Sequence, residues 1–139
     1  MMEKQFFSIS VEGIDKSGKY QVLKYLDILG KHEYVLMDRG LISNITYARM
    51  FNRRYMYNIN QFKNWVFVHL YCDKTDWEVR CKLTNEPAID YKENIEAFDK
   101  TVSEFKKLGF HVLSFNTSYL TPYNVAKQVM AYIDNLNTM

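Results

Sequence analysis

The sequence predicts an α/β fold: a three-layer α/β/α arrangement around a short parallel sheet of about four strands. Three observations carry this. Apolar runs of strand length alternate with segments of helical periodicity along the 139 residues. The run Trp65-Val66-Phe67-Val68-His69-Leu70-Tyr71 is almost continuously apolar, as a strand covered on both faces is. The first apolar run is followed by the loop Gly13-Ile14-Asp15-Lys16-Ser17-Gly18-Lys19-Tyr20, which leads into an amphipathic segment.

Each element follows from a local signal. Residues 5–11 read as a buried first strand. From Lys19, the residues Val22, Leu23, Leu26 and Leu29 recur at helical spacing, and Gly30 is a suitable stop. Residues 33–37 form a short apolar run, a second strand whose polar tip is Asp38-Arg39-Gly40. Residues 41 to about 57 look helical, with a break near Asn52. The apolar run from Trp65 is the third strand. Thr75 can N-cap a short helix through Leu83, and Asn85-Glu86-Pro87 is a loop. Asp90 can N-cap a long helix whose stripe is Ile95, Phe98, Val102, Phe105 and Leu108, stopped by Gly109. Residues 110–115 are a fourth strand. Thr121-Pro122 is an N-cap followed by a first-turn proline, and Val125, Val129, Ile133 and Leu136 line one face of the last helix.

Composition sets the outer bounds. A chain of 139 residues is expected to form one domain over 1–139, and 47% hydrophobic residues suffice for a real core. The 11 Tyr and 9 Phe are mostly core, although such rings also stack on bases. A net charge of +2 gives no strong pull toward nucleic acid or membrane, so neither is an expected partner. Cys72 and Cys81 have no metal-ligand spacing and read as free thiols of a reducing cytoplasm. His32, His69 and His111 are scattered and read as core or edge residues. No apolar run reaches the roughly 20 residues that span a bilayer. Met1 to Lys4 lead straight into the first strand, which predicts no signal peptide.

The chemistry lies in two places. The loop from Gly13 has the P-loop pattern G-x-x-x-x-G-K between a strand and a helix. Gly13 and Gly18 let the backbone curl so that successive N–H groups, including those of Asp15, Lys16 and Ser17, surround a phosphate at a helix N-terminus. Lys19 then reaches the β- and γ-phosphates of ATP. Tyr20 stands where a Ser or Thr hydroxyl normally ligates Mg²⁺. The second place is Asp38-Arg39, at the C-terminal end of the second strand, where ligands of parallel sheets sit. Beside a P-loop, Asp38 is expected to hold Mg²⁺, directly or through water, and Arg39 a substrate phosphate. Arg80, after the third strand, is a candidate to close over a donor phosphate. Arg49, Arg53 and Arg54 form a basic cluster whose ordinary reading is a solvated face.

These residues carry a resemblance. Residues 7–19 resemble the opening of thymidylate kinases and related deoxynucleoside monophosphate kinases, including small viral ones. Asp38-Arg39-Gly40-Leu41-Ile42-Ser43-Asn44-Ile45-Thr46-Tyr47 resembles that family's segment D-R-(Y or F)-x-x-S-x-x-(A or V)-Y. The resemblance implies a P-loop NTPase fold and transfer of the ATP γ-phosphoryl group to a (deoxy)nucleoside 5′-monophosphate, with Mg²⁺. It places Asp15 at the acceptor sugar, Lys16 as a catalytic cation within the loop, Arg39 on the acceptor phosphate, and Ser43 and Tyr47 on the acceptor side. A homodimer is compatible with it.

The chain departs from the family pattern at Tyr20, at Ala48 in place of a base-reading glutamine, and in the short interval between Lys19 and Asp38. Two other functions therefore stand beside the kinase. One is a kinase-derived protein that binds a nucleotide and catalyses little. The other is a kinase for another acceptor, a nucleoside or a polynucleotide end.

Overall fold

The computed structural model describes residues 7–138. The expected start of the first strand at Gln5 and the reading of Met1 to Lys4 lie outside the described residues. Four parallel strands, β1 (Ser8–Gly13), β2 (Leu36–Asp38), β3 (Trp65–Tyr71) and β4 (His111–Asn116), form one sheet in the order β2-β1-β3-β4. The connecting helices are α1 (Lys19–Leu29), α2 (Leu41–Met50), α3 (Lys74–Leu83), α4 (Tyr91–Lys107) and α5 (Pro122–Thr138). The expected three-layer α/β/α architecture with a four-stranded parallel sheet is the one the chain adopts.

The parity of β3 explains its unbroken apolarity. Val66, Val68 and Leu70 face one core with Ile9 and Val11 of β1, under α1 and α5. Phe67 faces the other core, with Phe98, Val102 and Phe105 of α4 and Ile42 and Ile45 of α2. Both faces of the strand are covered, so neither can carry the polar half of an alternating pattern. β1 breaks this rule: Ser10 and Glu12 are fully buried under α2.

Boundaries shift where caps differ from expectation. β2 is three residues long and begins at Leu36, not Glu33. α2 ends at Met50, and Asn52 turns the chain with a φ of 52°, so the helix stops where a break was expected and does not resume to Tyr57. Arg53 consequently leaves the helix, and Arg49 stays on it, paired at 2.7 Å to Glu104 of α4. α3 begins at Lys74, behind Asp73 rather than capped by Thr75. Asp90 does not cap α4 with its side chain, because its own φ of 63° is left-handed. At α5 the Asn124 N–H donates to Thr121 Oγ1 at 3.2 Å, the N-cap bond its sequence predicts.

Candidate functional site

Beyond Gly13 the chain turns sharply beside β3. Gly13 has a φ of 142°, and a Cβ added there would lie 2.2 Å from the Leu70 carbonyl oxygen. Only glycine fits that approach. Lys16 (φ 66°) and Gly18 (φ 94°) then take left-handed conformations, which curl the loop.

The scaffold holds three successive loop carbonyls. Trp77 Nε1 donates to Asp15 O at 3.2 Å, Arg80 Nη1 to Lys16 O at 2.7 Å, and Thr117 Oγ1 to Ser17 O at 2.8 Å. Cys72 Sγ adds a weak bond to Lys16 O at 3.8 Å. In a trans peptide the carbonyl and the following N–H point in opposite directions, and none of the described peptides is cis. Fixing these carbonyls outward therefore turns the N–H groups of Lys16, Ser17 and Gly18 to the opposite side. Aligned N–H groups at the start of α1 make an anion cradle.

Lys19 opens α1 and is only 8% exposed. Its ammonium donates to Gly13 O at 3.1 Å and Ile14 O at 2.7 Å, with Ser17 Oγ at 3.5 Å. Burial pushes this ammonium down to about 8, against the pull of the Asp38 and Glu12 carboxylates. It is a cation held among carbonyls that a phosphate would outbid as a partner.

The second strand tip stands next to the first. Val11 of β1 is in register with Asp38 of β2, and the Arg39 N–H donates to Val11 O at 2.9 Å. Arg39 has a left-handed φ of 60° and its guanidinium is ion-paired to Asp15 of the loop. Lys16, the expected in-loop cation, is paired at 2.9 Å to Glu86 of the segment between α3 and α4.

Glu12, which no sequence expectation singled out, organises this corner. Its carboxylate accepts from the Gly40 N–H at 2.7 and 3.0 Å, the Ser43 N–H at 3.3 Å, Ser43 Oγ at 2.9 Å and Ser10 Oγ at 2.9 Å. A buried carboxylate at the N-terminus of α2 is favoured by the helix dipole and by these donors, while burial pushes its pKa up. A Cβ on Gly40 would lie 2.3 Å from Ser10 Oγ, so the approach of α2 to β1 needs glycine there too. The signal in the sequence was a carboxylate on the inward parity of an apolar strand.

A cavity of about 520 Å³ opens beside the loop, lined by Asp15, Arg39, Asn44, Tyr47 and Ala48, and beyond α2 by Phe51, Arg53, Arg54, Tyr55 and Tyr57. Asp15, Arg39 and Tyr47 thus meet where an acceptor was expected. Ser43 does not: it is fully buried and spends its hydroxyl on Glu12, so it supports α2 instead of lining the cavity. The Tyr20 side chain, expected in contact with ATP, is 76% exposed at the start of α1. Arg80 is not a free lid cation; it binds Lys16 O and Thr117, bracing the loop from behind. A separate 510 Å³ cavity lies between α4 and the β3–β4 edge, where His69, pushed down to about 4 by burial, is hydrogen-bonded to Ser114 at 3.1 Å.

Among the described residues no group of three or more His, Cys, Asp or Glu side chains is placed to hold a metal ion. Mg²⁺ at nucleotide sites is usually held by one or two carboxylates plus phosphates and waters. Asp38, exposed and close enough to act on the Lys19 charge, fits that limited requirement. No described helix is long and apolar enough to cross a membrane.

Fold and loop together define a P-loop NTPase-like protein. Among solved structures, the crystal structure of the YorR protein of Bacillus subtilis, in complex with phosphorylated GDP, matches with a TM-score of 0.74. The match covers 94% of this chain and 98% of that one at 17% sequence identity, a likeness of fold. No protein-family model matches the chain, and no curated protein matches it significantly.

Proposed function

We propose that the protein is a nucleoside monophosphate kinase of thymidylate kinase-like type, transferring the γ-phosphoryl group of ATP to a (deoxy)nucleoside 5′-monophosphate. The observation that carries this reading is the shared wall of two sites. Asp15 belongs to the phosphate cradle and to the acceptor cavity, and Arg39 is held against it. An acceptor phosphate on Arg39 would lie next to a phosphoryl group in the cradle. Asp38 would be the protein carboxylate that holds Mg²⁺, and the ion would supply charge neutralisation to the phosphates.

In this reading an acceptor phosphate oxygen forms a bond to the γ-phosphorus as the bond from that phosphorus to the β,γ-bridging oxygen breaks. Lys19 and the loop N–H groups stabilise charge on the β- and γ-phosphates. Lys16 supplies a second cation once it leaves Glu86, and Arg39 orients the acceptor. Tyr47 forms part of the acceptor wall. Purified protein with ATP, Mg²⁺ and a panel of nucleoside monophosphates is expected to yield ADP and a nucleoside diphosphate. Folded protein that turns over none of them overturns the proposal.

A second reading rests on Tyr20. With Tyr in place of the Ser or Thr that follows the loop lysine and ligates Mg²⁺, the protein would bind a nucleotide and catalyse little. Nucleotide affinity would then be nearly independent of Mg²⁺, and Tyr20→Thr would give a large gain in turnover if the rest of the apparatus is intact.

A further inference from the structure

We infer that the acceptor cavity takes a nucleotide bearing a second phosphate, on the far side of the sugar from the one that reacts. The inference rests on the kinase reading and names the substrate class of that site. A single acceptor phosphate has its partner in Arg39, at the loop end of the cavity. The same cavity is also lined by Arg53 and Arg54. Neither is in an ion pair among the described residues, whereas Arg39 is matched by Asp15 and Arg49 by Glu104. The cavity therefore keeps two uncompensated guanidinium groups at the end remote from the loop.

These cations sit on a built wall. Arg49 Nε donates to the Tyr55 hydroxyl at 3.0 Å, fixing a segment that follows α2 to that helix. Arg53 lies 5.2 Å from the centre of the Phe51 ring. The rings make two nearly parallel pairs, Tyr47 with Phe51 (6.3 Å, 14°) and Tyr55 with Tyr57 (6.2 Å, 27°). Parallel rings interleaved with guanidinium groups suit bases strung on a phosphate backbone. Arg is also the side chain best matched to phosphate oxygens. A nucleoside 3′,5′-bisphosphate and the 5′-phosphorylated end of a short single strand both present this chemistry.

Equilibrium binding to the intact protein tests the inference without relying on turnover. The probes are thymidine and deoxyguanosine 5′-monophosphates, the matching 3′,5′-bisphosphates, and 5′-phosphorylated dinucleotides. The second phosphate is expected to tighten binding on the order of tenfold. In Arg53→Ala/Arg54→Ala that ratio is expected to collapse toward one. A bisphosphate stronger than the dinucleotide assigns a free nucleotide. A dinucleotide at least as strong, with marked salt sensitivity, assigns a strand end. Wild-type protein that binds mono- and bisphosphates equally overturns the inference, as does a ratio that survives in the double variant. Equal binding alongside normal monophosphate turnover removes only this inference. Tighter bisphosphate binding with no turnover of any acceptor removes the kinase reading instead.

Discussion

At the residue scale the proposed kinase chemistry turns on Lys19 and Lys16, two cations with carbonyl or carboxylate partners in the loop. Burial holds the Lys19 ammonium at about 8 rather than 10.5. Between these values the folded chain binds fewer protons than the unfolded one, so without nucleotide folding stability rises with pH across that window. Nucleotide binding runs the other way, because the phosphates need the charged form. Affinity for ATP is expected to fall above about pH 8, by at most about tenfold per pH unit, as measured by titration calorimetry from pH 6.5 to 9.5. A flat profile would show that Lys19 does not meet the phosphates. Lys19→Ala is expected to lower turnover roughly a hundredfold, the loss of about 3 kcal/mol of barrier stabilisation. Glu86 offers the opposite test. Its exposed pair with Lys16 competes with any phosphate for that cation. Glu86→Gln is expected to tighten ATP binding roughly twofold to fivefold, the modest range of surface ion pairs. Weaker binding would mean that Glu86 positions Lys16 instead of occupying it.

At the element scale α2 is the member whose placement the site depends on. It docks on α4 through the buried Thr46–Thr101 hydrogen bond, 2.9 Å, and the Arg49–Glu104 pair, and its N-terminus closes on Glu12. Glu12→Ala would leave the Gly40 and Ser43 N–H groups buried without their acceptor. It is expected to destabilise the fold by about 3 kcal/mol, read from urea denaturation. Under the kinase proposal it should also raise KM for the acceptor more than that for ATP, since Arg39 and Tyr47 flank the displaced corner. The run at Trp65 was legible as a strand because burial on both faces leaves a compositional mark. The motifs at Gly13 and Asp38 were legible because their chemistry is local. Glu12 was half-legible: its inward parity could be read, but its donors lie 28 and 31 residues away. The end of α2 was blurred because aromatic residues continue past it, now lining a cavity instead of a core.

At the scale of the whole molecule the loop is where distant segments meet. Trp77 and Thr117 hold loop carbonyls from 62 and 100 residues away, and Arg80 joins the two by binding both Lys16 O and Thr117. Nothing in the local sequence marks such braces, since any Trp or Thr can serve once the sheet order brings it there. Their consequence is that an anion in the cradle reinforces contacts spanning β1, α3 and the turn into α5. ATP at a hundred times its dissociation constant stabilises a folded state by about 2.7 kcal/mol, expected here as a rise in melting temperature of roughly 9 °C. Thermal scans with and without Mg²⁺ separate the two readings of Tyr20. A Mg²⁺-dependent rise places the metal on the bound phosphates despite Tyr20, while equal rises favour nucleotide binding without the metal. Arg80→Ala releases the brace and leaves the cradle residues in place. If the N–H groups face inward because their carbonyls are held from behind, this variant loses most of the ATP-induced rise while its unliganded melting temperature changes little. A full ATP-induced rise in Arg80→Ala would show instead that the loop holds its shape through its own glycines.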